Sequence, residues 1–77
     1  MDALDYRMTN SIIAKCLNIS IKEILPEMHL IYDCMADSLM LMDLFIELEN
    51  YYHIKFTSNN IENIETVDDI YKFLRAI

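Results

Sequence analysis

Asp37-Ser38-Leu39-Met40-Leu41-Met42-Asp43-Leu44-Phe45-Ile46-Glu47-Leu48-Glu49-Asn50-Tyr51-Tyr52-His53 is the stretch whose reading decides the fold. Neither glycine nor proline interrupts it, and it reads as a helix from Ser38 to about His53. At 3.6 residues per turn, Leu41, Leu44, Phe45, Leu48 and Tyr52 share one face, the expected core face. Asp43, Glu47 and Asn50 form a narrow polar stripe opposite. Leu39, Met40, Met42 and Ile46 flank that stripe, outside the core arc. A helix packing one face on a small core does not need these apolar flanks. Contiguous exposed apolar surface with a charged rim marks a contact site, and methionine suits a surface that fits several partners. Neighbouring helices covering the flanks is the alternative, and Leu39 is the residue it fits best.

The mouth of the helix has two readings. Serine is a preferred N-cap, and Asp37 places negative charge where the helix dipole is positive. The same position also suits a covalent phosphate, because a hydroxyl there is exposed and the free N–H groups of a helix N-terminus favour an anion. Periodicity does not choose between them.

Outward from this helix, composition sets the bounds. Seventy-seven residues are expected to form one domain, 1–77. A chain of this length buries only roughly 60% of the surface its unfolded form exposes, so the core is modest. Thirteen Asp and Glu stand against six Lys and Arg, which argues against nucleic acid and favours partners with basic docking surfaces. The hydrophobic fraction of 55% excludes a disordered acidic tail. Met1-Asp2-Ala3-Leu4-Asp5 lacks the basic region and apolar run of a signal peptide, and no stretch approaches the ~20 apolar residues of a membrane span. Two cysteines, Cys16 and Cys34, make no disulfide framework. A cytoplasmic monomer with free thiols is expected, Cys16 serving the core.

The absence of glycine and the single proline speak against a sheet built on tight turns, so an all-α fold is predicted. Helix one is expected from about Asp2 to Leu17, with Leu4, Met8, Ile12, Ile13, Cys16 and Leu17 at helical spacing, a soft spot at Thr9-Asn10-Ser11, and Asn18 as its C-cap. A long connection follows to Asp37. Ser20-x-x-Glu23 matches a capping box for one short turn including Ile24 and Leu25, and Pro26 ends it. Met28, Leu30, Ile31 and Tyr32 are spaced to pin this loop to the bundle. Ile54-Lys55-Phe56 is a linker with two buried side chains. Thr57 or Ser58 caps a short third helix, Asn59–Ile64. Thr66 caps a fourth, Val67–Ile77, with Asp68 and Asp69 in its first turn, Lys72 and Arg75 toward its end, and Val67, Ile70, Tyr71 and Leu74 buried.

Self-contained catalytic chemistry is not legible. A phosphate-binding glycine loop needs glycine, and no Cys and His spacing fits zinc. His29 and His53 are isolated. Cys34 has no histidine at a recognisable spacing, and Ser38 has no base that sequence identifies. Asp43 and Glu47, at i and i+4, offer too few oxygens for a metal.

Asp33-Cys34-Met35-Ala36-Asp37-Ser38-Leu39, then Asp43-Leu44, resembles the motif of the acyl carrier protein family and its peptidyl carrier relatives, Asp-Leu-Gly-x-Asp-Ser-Leu followed by an acidic residue and Leu. The likeness extends over about residues 9 to 75. Leu17-Asn18-Ile19 stands where the family often has Leu-Gly-Val. Glu47-Leu48-Glu49 and Tyr52 match the acidic second half of its helix two, and Thr66-Val67-Asp68-Asp69 the start of its last helix. Three departures stand out: Met35 for the usual glycine, Cys34 for leucine, and apolar Met40 and Leu41 where polar residues are common.

The resemblance implies a small four-helix bundle with a long loop between helices one and two and a short helix three. It implies covalent 4′-phosphopantetheine on Ser38, between Asp37 and Leu39, installed from coenzyme A by a phosphopantetheinyl transferase. The arm's thiol then holds cargo as a thioester, so the protein is a carrier rather than an enzyme. Partners would be loading and synthase or transferase enzymes with basic docking surfaces, met by Asp37, Asp43, Glu47 and Glu49 around an apolar centre at Met40, Met42 and Ile46. An acyl cargo is expected in a fatty acid, polyketide or related specialised pathway. The alternatives are an aminoacyl or peptidyl carrier of nonribosomal peptide synthesis, and a helical interaction module without a prosthetic group.

Overall fold

Four side chains set where the helices start. Each takes the N–H of the third residue beyond it, one of the donors a helix leaves unpaired at its N-terminus. Asp5 accepts from Met8 and opens α1, Tyr6–Leu17; Asp37 accepts from Met40 and opens α2, Ser38–Tyr52. Thr57 accepts from Asn60 and opens α3, Ser58–Asn63; Thr66 accepts from Asp69 and opens α4, Val67–Arg75. The last two are reciprocal capping boxes. A single 3-10 turn, Ile21–Glu23, lies in the connection between α1 and α2. The structure, a computed structural model, describes residues 4–77. Among these the fold is all-α, as the missing glycine implied.

Several boundaries differ from expectation. The start expected at Asp2 lies outside the described residues, and α1 begins at Tyr6 on the Asp5 cap. The soft spot at Thr9-Asn10-Ser11 is regular helix. Thr9 is fully buried and shares a 2.6 Å hydrogen bond with the Tyr52 hydroxyl, which also accepts the Asp5 N–H at 2.9 Å. A residue from the end of α2 thus holds the polar opening of α1. Met8 is exposed and Cys16 only half-buried, so neither belongs to the deep core. The capping box expected at Ser20 is replaced by a bond from the Lys22 N–H, and the turn stops at Glu23, short of the expected Ile24 and Leu25; Ile24 is buried and Leu25 exposed. Helix three starts one residue earlier than expected because Thr57, not Ser58, is its cap, and it ends at Asn63, where Ile64 turns extended; helix four ends at Arg75.

The core gathers Ile13 and Leu17 from α1, Leu30 from the loop, Leu44 and Leu48 from α2, and Val67, Ile70 and Leu74 from α4. Phe56 stacks on Phe73 at 4.6 Å and meets Phe45 at 5.0 Å, joining α2, the linker and α4. All four apolar residues expected on the inner face of α4 are buried.

The long loop is held chiefly by backbone bonds. Leu30 N–H donates to Glu65 C=O at 2.9 Å, Val67 N–H to Met28 C=O at 3.0 Å and Asp68 N–H to Pro26 C=O at 2.8 Å. Loop carbonyls therefore satisfy the first free donors of α4. Only Leu30 of the expected pins is fully buried, and Met28 is half-buried. Ile31 and Tyr32 face solvent instead, at 49% and 79% exposure, because the turn they sit on is closed by main-chain bonds and does not need their side chains.

Candidate functional site

The loop reaches α2 through a turn held by main-chain hydrogen bonds. Cys34 N–H donates to His29 C=O at 3.0 Å, Met35 N–H to Ile31 C=O at 3.1 Å and Ala36 N–H to Leu30 C=O at 3.0 Å. The His29 ring and the Asp33 carboxylate brace it: Nδ1 accepts the N–H groups of Ile31 and Tyr32, and Asp33 Oδ2 accepts that of His29. His29 is thus a structural residue of the turn. Cys34 and Ala36 point inward and are buried. Met35 between them has φ 61°, in the left-handed region, with a side chain 79% exposed. For a residue with a Cβ that conformation costs about 1–2 kcal/mol. The turn closes with Met35 in this left-handed conformation, and the strain sits there.

Asp37 then caps α2, with Oδ1 accepting the Met40 N–H at 2.8 Å. The bland role foreseen for Ser38 therefore belongs to Asp37. Ser38 is the first residue of the helix, exposed, and its hydroxyl has no hydrogen-bond partner among the described residues. The N–H groups of Ser38 and Leu39 likewise have no acceptor there, as the first donors of a helix do unless something outside it supplies one.

Beside Ser38 opens a groove of about 350 Å³, lined by Ser38, Leu41, Met42, Phe45, Ile46, Glu49 and Ile61. Its wall is almost wholly apolar. A second groove of about 390 Å³, bounded by His29, Tyr32, Glu62 and Glu65 among others, shares Leu41 and Ile61 with the first. Sequence reading missed Ile61. The signal was there in outline: it is the one apolar residue of Ser58-Asn59-Asn60-Ile61-Glu62-Asn63.

The flanks of α2 divide. Leu39, Met42 and Ile46 are uncovered, at 69%, 60% and 49% exposure, while Met40 is half-buried against the core. The acidic residues divide too. Glu47 pairs with Lys15 at 3.3 Å, and a Glu49 oxygen accepts the Phe56 N–H at 2.8 Å. Asp37 is engaged as a cap, whereas Asp43 has no hydrogen-bond or ion-pair partner among the described residues.

Neither thiol is suited to attack. Burial pushes the Cys34 thiol up, aided by Asp33; burial also raises Cys16, with Glu47 and Asp43 adding to it. Among the described residues there is no cluster of three or more metal-ligating side chains, and no helix is long and apolar enough to cross a membrane.

The family model described as "Phosphopantetheine attachment site" matches residues 10–74. The chain belongs to the phosphopantetheine-attachment family. It is a carrier protein of acyl-carrier type, its cofactor is 4′-phosphopantetheine, and it acts without catalysis of its own. The carrier is 33% identical over 69 residues to an acyl carrier protein of Thermotoga maritima, covering 90% of this chain and 85% of that one. It is 28% identical over 71 residues to the acyl carrier protein of Helicobacter hepaticus, covering 92% and 93%. A solved structure from Mycobacterium tuberculosis, described as an acyl carrier protein, superposes with a TM-score of 0.79 at 32% identity, covering 86% of this chain and 88% of that one. The four-helix architecture is therefore shared with the family. As a class, carriers of this kind work with phosphopantetheinyl transferases and synthase enzymes.

Proposed function

We propose that Ser38 is the attachment point of the arm and that the carrier presents acyl thioesters to enzymes of a fatty acid, polyketide or related pathway. The observation that carries this reading is the exposed, unpartnered Ser38 hydroxyl at the first position of α2, opening onto an apolar groove. The residues present fit the group. A phosphodiester on this hydroxyl would lie near the open N–H groups of Ser38 and Leu39, where the helix dipole favours negative charge by about 0.3–1 kcal/mol. Asp37 fixes the first turn by holding the Met40 N–H, so the serine is presented on rigid helix rather than loose chain.

In the transfer, Ser38 Oγ bonds to phosphorus as the pyrophosphate bond of coenzyme A breaks. The serine proton goes to a base on the transferase, and adenosine 3′,5′-bisphosphate leaves. The bound arm supplies a terminal thiol for thioester chemistry; orientation and recognition fall to this chain. Leu41, Met42, Phe45, Ile46 and Ile61 give the groove a wall suited to an alkyl chain, which favours acyl over polar aminoacyl cargo. Asp43, without a partner among the described residues, is the acidic residue best placed to meet a basic enzyme surface, and Met42 and Ile46 beside it form the apolar centre.

Intact-mass spectrometry after incubation with coenzyme A and a broad-range phosphopantetheinyl transferase tests the reading. Wild type gains one phosphopantetheine and Ser38→Ala gains none. A folded wild type left unmodified by several transferases, or a modified Ser38→Ala, overturns it.

A further inference from the structure

We propose that Met35 is a specificity-determining residue for arm attachment, its side chain narrowing the set of transferases that can reach Ser38; the inference rests on Ser38 being the attachment point. Among the described residues, three adopt positive φ: Asn18, Met35 and His53. Asn18 and His53 are helix C-caps, their N–H groups bonded to Ala14 and Glu49 carbonyls. Asparagine and histidine are among the residues that enter the left-handed region most readily. Met35 closes its turn with the same kind of bond, to the Ile31 carbonyl, but has no such residue preference. Its side chain is unbranched and apolar, and its thioether sulfur, a weak acceptor, takes no N–H among the described residues.

The fold gains nothing from this side chain. The turn is held by main-chain bonds from Cys34, Met35 and Ala36, all of which a glycine at 35 would keep. Cys34 and Ala36 on either side are buried and dictate the path. At 79% exposure the methionine has almost no packing to offset its strain. A strained residue whose side chain does nothing inside the molecule points to a role outside it.

Its position says which role. Met35 lies three residues before Ser38, and Leu39, 69% exposed, follows the serine directly. An enzyme forming the Ser38 Oγ–phosphorus bond must close over this ground. One shaped for glycine at this position meets a thioether chain where it expects bare backbone. An apolar side chain forced into a fitted contact is worth about ten- to hundredfold in rate.

The test compares kcat/KM for transfer from coenzyme A by two enzymes, one specialised for carriers with glycine at this position and one of broad range. Substrates are wild type, Met35→Gly and Met35→Leu, with thermal melts of each. Met35→Gly raises the specialised enzyme's kcat/KM by more than about threefold and leaves the broad enzyme within that margin, while Met35→Leu, which keeps strain and bulk, behaves as wild type. A higher melting temperature for Met35→Gly with unchanged discrimination between the enzymes overturns the inference and leaves Ser38 as the attachment point. Folded wild type and Met35→Gly both refused by both enzymes would remove the attachment reading and this inference with it.

Discussion

The N-termini of α2 and α4 are built from the same parts and finished differently. Each has a side-chain cap, Asp37 or Thr66, taking the N–H three residues on. At α4 the two remaining donors, on Val67 and Asp68, go to carbonyls of the long loop, and Asp69 reaches back to Glu65 and Thr66 N–H groups. Polar demand there is met inside the molecule. At α2 the corresponding donors on Ser38 and Leu39 have no acceptor among the described residues, beside an exposed hydroxyl and an apolar groove. Their faces differ in the same sense. α4 buries one clean stripe and pairs Asp68 with Lys72 at 3.3 Å across its outer side, whereas α2 leaves Leu39, Met42 and Ile46 in water. A helix end whose groups are all answered internally serves the fold. One left unanswered is available to something else.

Substitutions can break or sharpen that contrast. The largest effect on stability belongs to a pair of leucines. Leu74→Ala on α4 should cost about 2–5 kcal/mol, because the side chain is fully buried. Leu39→Ala on α2 should stay within about 0.5 kcal/mol. Urea unfolding of both variants measures this, and a costly Leu39→Ala would mean that the α2 flank is structural after all.

A smaller effect comes from the α4 cap. Thr66→Ala should cost about 1 kcal/mol in the same unfolding experiment. Its partner Asp69 adds a pH signature. The Glu65 N–H is the main cause holding the Asp69 carboxyl below its usual value, against the opposing pull of partial burial, with Thr66 helping. A depressed folded value stabilises above the unfolded pKa of about 3.9 and loses that contribution as pH falls through the folded value. The stability gap between wild type and Asp69→Asn should therefore be full at neutral pH and close in acid below about pH 4. A gap independent of pH would show that the carboxylate charge contributes nothing there.

The smallest effect on stability, within about 0.5 kcal/mol, is expected for Asp43→Lys, because Asp43 has no partner among the described residues. Yet it should slow transfer from partner enzymes on the order of tenfold at low salt, less at high salt. Equal rates with every partner would move the docking surface away from α2.

Much of this was legible in the chain. The 3.6-residue period predicted both buried faces: Val67, Ile70, Tyr71 and Leu74 on α4, and on α2 Leu44, Phe45 and Leu48, with the expected Leu41 and Tyr52 only half-buried. Thr57, Thr66 and Asn18 announced helix ends because capping is a contact within three or four residues. The Asp37-Ser38-Leu39 motif marked the candidate site for a similar reason: a serine at the mouth of a helix is a local arrangement. Periodicity assigns residues to faces but does not say which faces are covered, since coverage comes from elements distant in sequence. Only the tertiary structure therefore left Leu39 and Met42 bare while half-covering Met40, and turned Ile31 and Tyr32 outward. It also drew Glu49 to the Phe56 N–H and Glu47 to Lys15, which leaves Asp43 as the acid of α2 without a partner among the described residues. The left-handed backbone at Met35 belongs with these, because it is imposed by bonds reaching back to Leu30 and Ile31 and by the buried neighbours on either side, not by any preference of methionine itself.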